Sequence, residues 1–249
     1  MHTTIAYGET IAALGAQWVP MAAVADPHIK TEGDYIYIAE QNKIIGFYCL
    51  PGTLGEQIRI LSPSIRRVNP QYVSDFETAV QSTGIVRRAF FPNIGLTLVP
   101  GEGLEIEQYV TANEVVTHII FLAQAIPSPV QGNIHTIRFS TDPVRTASAW
   151  SFAEITLLDP LPVGSYDVVG VRLETATGIA FRLVPVGGAI RPGGVCAIDA
   201  EDEDVLLQRY GGLGVWCSFI HGMTPGIELI CSATAVKETI YGYLDLIPK

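Results

Sequence analysis

Metal or acid–base chemistry in this chain would have to begin with five histidines, His2, His28, His118, His135 and His221. The nearest two are 17 residues apart, so neither His-x-His nor HExxH sets two imidazoles on one element at ligand spacing. The four cysteines, Cys49, Cys196, Cys217 and Cys231, form no CxxC pair and read as small buried apolar side chains in a reducing compartment. GxSxG and GxxxxGK[ST] are both missing, and the GGLG of residues 211–214 reads as a turn between strands. Residues 199–204, DAEDED, hold five acids in six positions. They lack the glycine and terminal glutamate of an EF-type calcium loop, and read as a solvated loop capping a helix that begins near Glu203. Trp18, Trp150 and Trp216 are aromatic enough to stack on sugars, but Trp150 and Trp216 sit in strand patterns and fit a core better. No catalytic, cofactor-binding or metal residue emerges, and a non-enzymatic role is expected.

What these residues sit in is unusually poor in charge. Charged residues make up 16% of the 249, against roughly 25% in ordinary soluble domains. Hydrophobic residues make up 48%, and mean hydropathy is +0.31. The most apolar run, VVTHIIFLAQAI (115–126), falls far short of the ~20 residues a bilayer helix needs. The N-terminus lacks a basic segment followed by an apolar core, so no signal peptide is expected, and no asparagine starts an N-x-Ser/Thr sequon. Two readings account for the composition: a large β-rich core, or surface hidden in an assembly. A net charge of −10 and a pI near 4.9 argue against direct nucleic-acid binding. The basic doublets Arg66-Arg67 and Arg87-Arg88 read as loop or strand ends.

Short β-branched and aromatic runs dominate, with 24 glycines and 16 prolines between them, the pattern of an all-β sandwich. Helix is expected only over Glu9–Gln17, Asp75–Gln81 and Glu203–Arg209. The chain also repeats itself. GLEIEQYVTA (103–112) lies over GIELICSATA (226–235) at an offset of 123. Gly46 meets Gly170, Gly55 meets Gly178, and Arg59 meets Arg182. Earlier, Asp26-Pro27 meets Asp142-Pro143 and Ala39-Glu40 meets Ala153-Glu154, which demands extra residues in the second copy, placed at 155–167. The expected organisation is an arm or flap over residues 1–18, then two eight-stranded jelly rolls over 19–126 and 127–249, joined at AIPSPVQGN (125–133) and related by tandem duplication.

An acidic, weakly charged tandem jelly roll resembles the double jelly-roll major capsid proteins of the adenovirus-like lineage, found in tailless icosahedral phages and archaeal viruses with an internal membrane. The resemblance is one of architecture, duplication and length over about residues 19–249. It implies a homotrimer, a pseudo-hexagonal block tiling an icosahedral shell, made in the host cytoplasm and resident in the virion. It also implies no cofactor, no direct contact with nucleic acid, and an N-terminal arm reaching an internal membrane or minor capsid proteins. The alternative from another class is a bicupin-like or carbohydrate-binding tandem β-sandwich.

Overall fold

The computed structural model describes residues 1–12, 15–37, 40–50, 57–66, 71–72, 95–175, 177–197, 206–231, 234, 237 and 239–249. Among these the fold is all-β. Its helix is confined to α1 (Pro63–Arg66) and to Leu206 and Leu207. The first half contributes β1 (His2–Ile11), β2 (Gln17–Pro20), β3 (Thr31–Glu32), β4 (Tyr35–Tyr37), β5 (Lys43–Leu50), β6 (Ile58–Leu61), β7 (Gln71–Tyr72), β8 (Leu96–Thr97), β9 (Gly103–Val110) and β10 (Glu114–Ala123). The second contributes β11 (His135–Thr141), β12 (Ser151–Ala153), β13 (Thr156–Leu157), β14 (Ser165–Leu173), β15 (Gly178–Val184), β16 (Gly193–Val195), β17 (Cys217–Ile220), β18 (Gly226–Cys231) and β19 (Ile240–Pro248).

Among the described residues all strand pairs are antiparallel and form four sheets. In the first half β1-β10-β5-β8 faces a sheet built on β9, which pairs with β2, β4 and β6, with β7 beyond β6. In the second half the sheets run β11-β19-β14-β17, with β13 added beside β11, and β12-β18-β15-β16. With β3, β4 and β13 set aside, each half orders its strands first-eighth-third-sixth in one sheet and second-seventh-fourth-fifth in the other. Registration repeats as well. Phe121 lies opposite Gly46, and the ladder slips by one residue at Ile45. Asp245 lies opposite Gly170, with the same slip at Val169. A bulge inserts one unpaired residue and bends its strand, and here it falls at the same step of the third strand of each half.

The strand order corrects several expectations. The helix over Glu9–Gln17 and the arm over 1–18 do not form: His2 to Ile11 pair with β10 along their whole length, and Gln17 to Pro20 pair with β9. Period-two burial of Ile5 and Tyr7 on one side and Ala6 on the other overrides the weak helical spacing. Asp26 follows β2 whereas Asp142 follows β11, so that early match aligns different strands; Ala39 lies outside the described residues. The longer connection is in the first half, residues 21–42 against 154–164, so extra residues in the second copy are not found where they were expected. Part of 155–167 is in fact strand β13. GLEIEQYVTA and GIELICSATA do fall on corresponding strands, β9 and β18, but two residues out of step. Arg59 faces Glu107 and Arg182 faces Glu228, an offset of 121 instead of 123. A slip of two leaves every side chain on its own face, which is why an ungapped match survived it. The helix expected over Asp75–Gln81 lies outside the described residues.

Among the described residues two apolar clusters form the interior. One is the interior of the first half, around Ile5, Tyr7, Ile58, Ile60, Leu104, Ile106 and Ile120. The other holds the interior of the second half together with Ala6, Ile45, Tyr48, Ile119, Phe121 and Ala123, the outward side of the first half's β1-β10-β5. That sheet is buried on both faces. The continuous apolar run of β10 follows from this, because a strand covered on both sides gains from apolar residues at every position.

Candidate functional site

Two matched clusters mark the outward side of the β2/β9/β6 sheet and of the β12/β18/β15 sheet. In the first half, Arg59 Nε donates to Glu107 Oε2 at 2.5 Å and its guanidinium lies 3.9 Å from the centre of the Trp18 ring. In the second, Arg182 Nε donates to Glu228 Oε2 at 2.5 Å with its guanidinium 4.2 Å from Trp150. A cation over an indole face and against a carboxylate is held by two attractions at once. The tryptophans stand 132 residues apart (150 − 18), and so do TIAY (4–7) of β1 and TIRF (136–139) of β11. Sequence reading missed this earliest pair of matches, although it was visible.

Burial separates the two clusters. The Arg59 and Glu107 side chains are 21% and 15% exposed, whereas that of Arg182 is 1% exposed. What covers Arg182 is the first half itself. Its Nη1 also donates to Asp26 Oδ2 and, at 3.1 Å, to the Thr4 carbonyl. Around it the seam is stitched by Thr4 N–H donating to the Arg191 carbonyl (2.8 Å) and Arg191 N–H donating to Thr3 Oγ1 (3.2 Å). His2 Nε2 lies 2.8 Å from the Gly193 carbonyl, and the His2 ring meets Trp216 edge-on at 5.1 Å. Burial pushes the His2 imidazole down to about 4, against the opposing pull of the Gly193 carbonyl. A Cβ on Gly193 would come within 2.7 Å of Thr4 Oγ1 and 2.1 Å of the Phe181 carbonyl, so only glycine admits β1 here.

The outward side of β11-β19-β14 is built on the same register as the covered side of β1-β10-β5, with different residues. The row Ala6–Ile119–Tyr48 becomes Arg138–Tyr243–Arg172, and Phe121 becomes Asp245. Tyr241 is 63% and Tyr243 39% exposed. Arg138 reaches Asp159 at 2.6 Å. Asp245 is sealed by Arg209, whose Nε and Nη2 donate to it at 2.6 and 2.8 Å, with Thr136 Oγ1 donating at 2.6 Å. Burial alone would raise the Asp245 carboxyl; the bonds from Arg209, Thr136 and the Tyr210 N–H hold it below the ordinary carboxylate value. This face therefore carries tyrosines and arginines on a rigid sheet with paired charges, a composition that suits protein association.

The residues weighed for chemistry are scattered. His28, His135 and His221 are exposed, His2 is at the seam, and His118 Nε2 lies 2.8 Å from Gln108 Oε1. Among the described residues no three His, Cys, Asp or Glu are placed to hold a metal. Cys196, Cys217 and Cys231 are buried free thiols, and burial pushes Cys217 up to about 12 and Cys231 to about 11, which keeps both protonated. Trp216 is a core residue, stacked on Phe181, while Trp18 and Trp150 cover arginines. The DAEDED run is outside the described residues except as the sequence gives it. In comparisons with known proteins the chain matches no family model, no curated protein and no solved structure.

Proposed function

We propose that this chain is a major capsid protein: two jelly rolls of duplicated origin, three copies of which close into a pseudo-hexameric block that tiles an icosahedral shell. The observation that carries the reading is the relation between the halves. Both order eight strands first-eighth-third-sixth in one sheet and second-seventh-fourth-fifth in the other, which supports reading each as a jelly roll. Within one chain, the outward side of the first half's β1-β10-β5 seats on the Arg182 side of the second. Each chain is then left with the complementary pair, the Arg138–Tyr243–Arg172 face and the Arg59 face. Seating the first of these on the second of the next copy repeats the internal contact between chains. Such a head-to-tail contact closes into a ring when its rotation allows, and three chains supply six similar units.

The low charged fraction supports the same reading: the chain as a whole carries little charge, and the charges on the two open faces are paired within them. In the proposed particle the chain resides in the virion after synthesis in the host cytoplasm, its partners are copies of itself, and it makes no direct contact with nucleic acid. Negative-stain electron microscopy of the purified protein tests this. Six-lobed, three-fold particles, or shells, are expected; isolated particles of single-chain size would overturn it.

A further inference from the structure

At one end of the second half, three connections surround a groove of about 790 Å³. Phe152 and Glu154 come from β12 and its exit, Gly188 and Arg191 from the loop between β15 and β16, and Thr224 from the loop between β17 and β18; His28 of the first half closes one side. The volume is within the ~300–1,000 Å³ of ordinary ligand sites. Two features look built. Arg191 is only 6% exposed, and its backbone is pinned at the seam by Thr3 and Thr4. Its Nη1 is turned onto the carbonyls of Gly188 and Ile190, while Nε and Nη2 have no hydrogen-bond partner among the described residues. No carboxylate of the described residues lies within ion-pair distance of it. Burial holds its pKa below the ordinary guanidinium value despite the more distant pull of Glu228 and Asp26. The second feature is Phe152, 56% exposed, whose ring lies against Gly226, where a Cβ would come within 2.3 Å of it. Glycine there lets the ring sit against the backbone while more than half of the residue stays exposed.

We propose that this groove binds the carboxylated ring of an acidic sugar, with the carboxylate on the open edge of Arg191 and the C–H face of the ring on Phe152. A guanidinium fork fits a carboxylate with two parallel N–H···O bonds, and this contact is strengthened where water is partly excluded. Sugar C–H bonds carry partial positive charge and meet the negative face of an aromatic ring. Glu154, His28 and Thr224 supply acceptors and donors for ring hydroxyls. A peptide carboxylate is the weaker fit: it could take the Arg191 contact, but it brings no C–H ring face to lie on Phe152. The inference does not depend on the capsid reading, and a single chain suffices to test it.

The test is titration of the full-length protein with galacturonic acid, N-acetylneuraminic acid, galactose and an acetylated tripeptide with a free C-terminus, read by calorimetry and saturation-transfer NMR. Both acidic sugars are expected to bind, with galactose at least ~10-fold weaker and Arg191→Gln losing at least ~10-fold, the equivalent of ~1.4 kcal/mol. Saturation transfer is expected to be strongest to the ring C–H protons. Melting curves accompany each variant. If Arg191→Gln melts early, the exposed Phe152→Ala takes its place, with loss of binding and of the ring-proton transfer at an unchanged melting temperature. Equal affinity for galactose, unchanged binding in both variants, tighter binding of the tripeptide, or no binding of either acid at ~10 mM would overturn the proposal.

Discussion

The face around Phe121 and the face around Asp245 occupy corresponding places in the two halves, yet one is closed and the other open. Both use the first, eighth and third strands of their half, with a bulge at the same step. What separates them is the side chains they present, together with Arg209 and Tyr210, which close over Asp245. Ala6, Ile119, Tyr48 and Phe121 are buried against the second half, while Arg138, Tyr243, Arg172 and the sealed Arg209–Asp245 pair face outward. A shared backbone thus sets where a contact forms, and the side chains decide whether it is permanent. An apolar face that never meets water suits a contact made once during folding. A tyrosine–arginine face that remains soluble suits one made between chains.

Truncating the closed face should have the largest effect. Phe121→Ala is expected to cost about 3–5 kcal/mol of chain stability, measured by denaturant unfolding, because it opens a cavity in the cluster that joins the halves. Tyr243→Ala, at the open face, should leave single-chain stability within about 0.5 kcal/mol and weaken association instead. Equal destabilisation by the two would erase the distinction between the faces.

The buried arginine gives the next contrast. Arg182→Ala strands Asp26 and Glu228 at the seam and should cost about 3–5 kcal/mol. Arg59→Ala, in the half-exposed counterpart, should cost about 1 kcal/mol or less. Arg182 becoming as dispensable as Arg59 would mean that the first half does not cover it in solution.

Acid should loosen the same seam. His2 is held at about 4 when folded and returns to about 6.5 when unfolded, so the unfolded chain binds the proton more readily. The stability due to neutral His2 is fully present above pH 6.5 and lost as pH falls from 6.5 to 4. The loss approaches about 3 kcal/mol at ~1.4 kcal/mol per unit. In His2→Gln this segment of the pH–stability curve should flatten, and an unchanged slope would place His2 in water.

The class of the fold was legible in short β-branched runs, and the later matches between the halves were legible because Gly46 and Gly170 sit at a bulge, while Arg59 and Arg182 are each held between a glutamate and a tryptophan. The start of the repeat was not. DP and AE are short pairs common at turns, and they outweighed TIAY/TIRF and Trp18/Trp150 only because the longer connection over residues 21–42 had shifted the offset from 132 to 124. The seam was illegible for a different reason. Arg182 meets Asp26 and Thr4 across 156 and 178 positions, and no periodicity reports a contact made between two separately patterned sheets.

The central claim, that the open face of one chain seats on the first half of the next, is tested most directly by light scattering with size-exclusion chromatography at micromolar concentration. The wild-type chain of 26.9 kDa is expected as a closed trimer of about 81 kDa, and Arg138→Glu with Tyr243→Ala should shift it toward single chains that still melt cooperatively. A wild-type protein that remains a stable 26.9 kDa monomer would contradict the account.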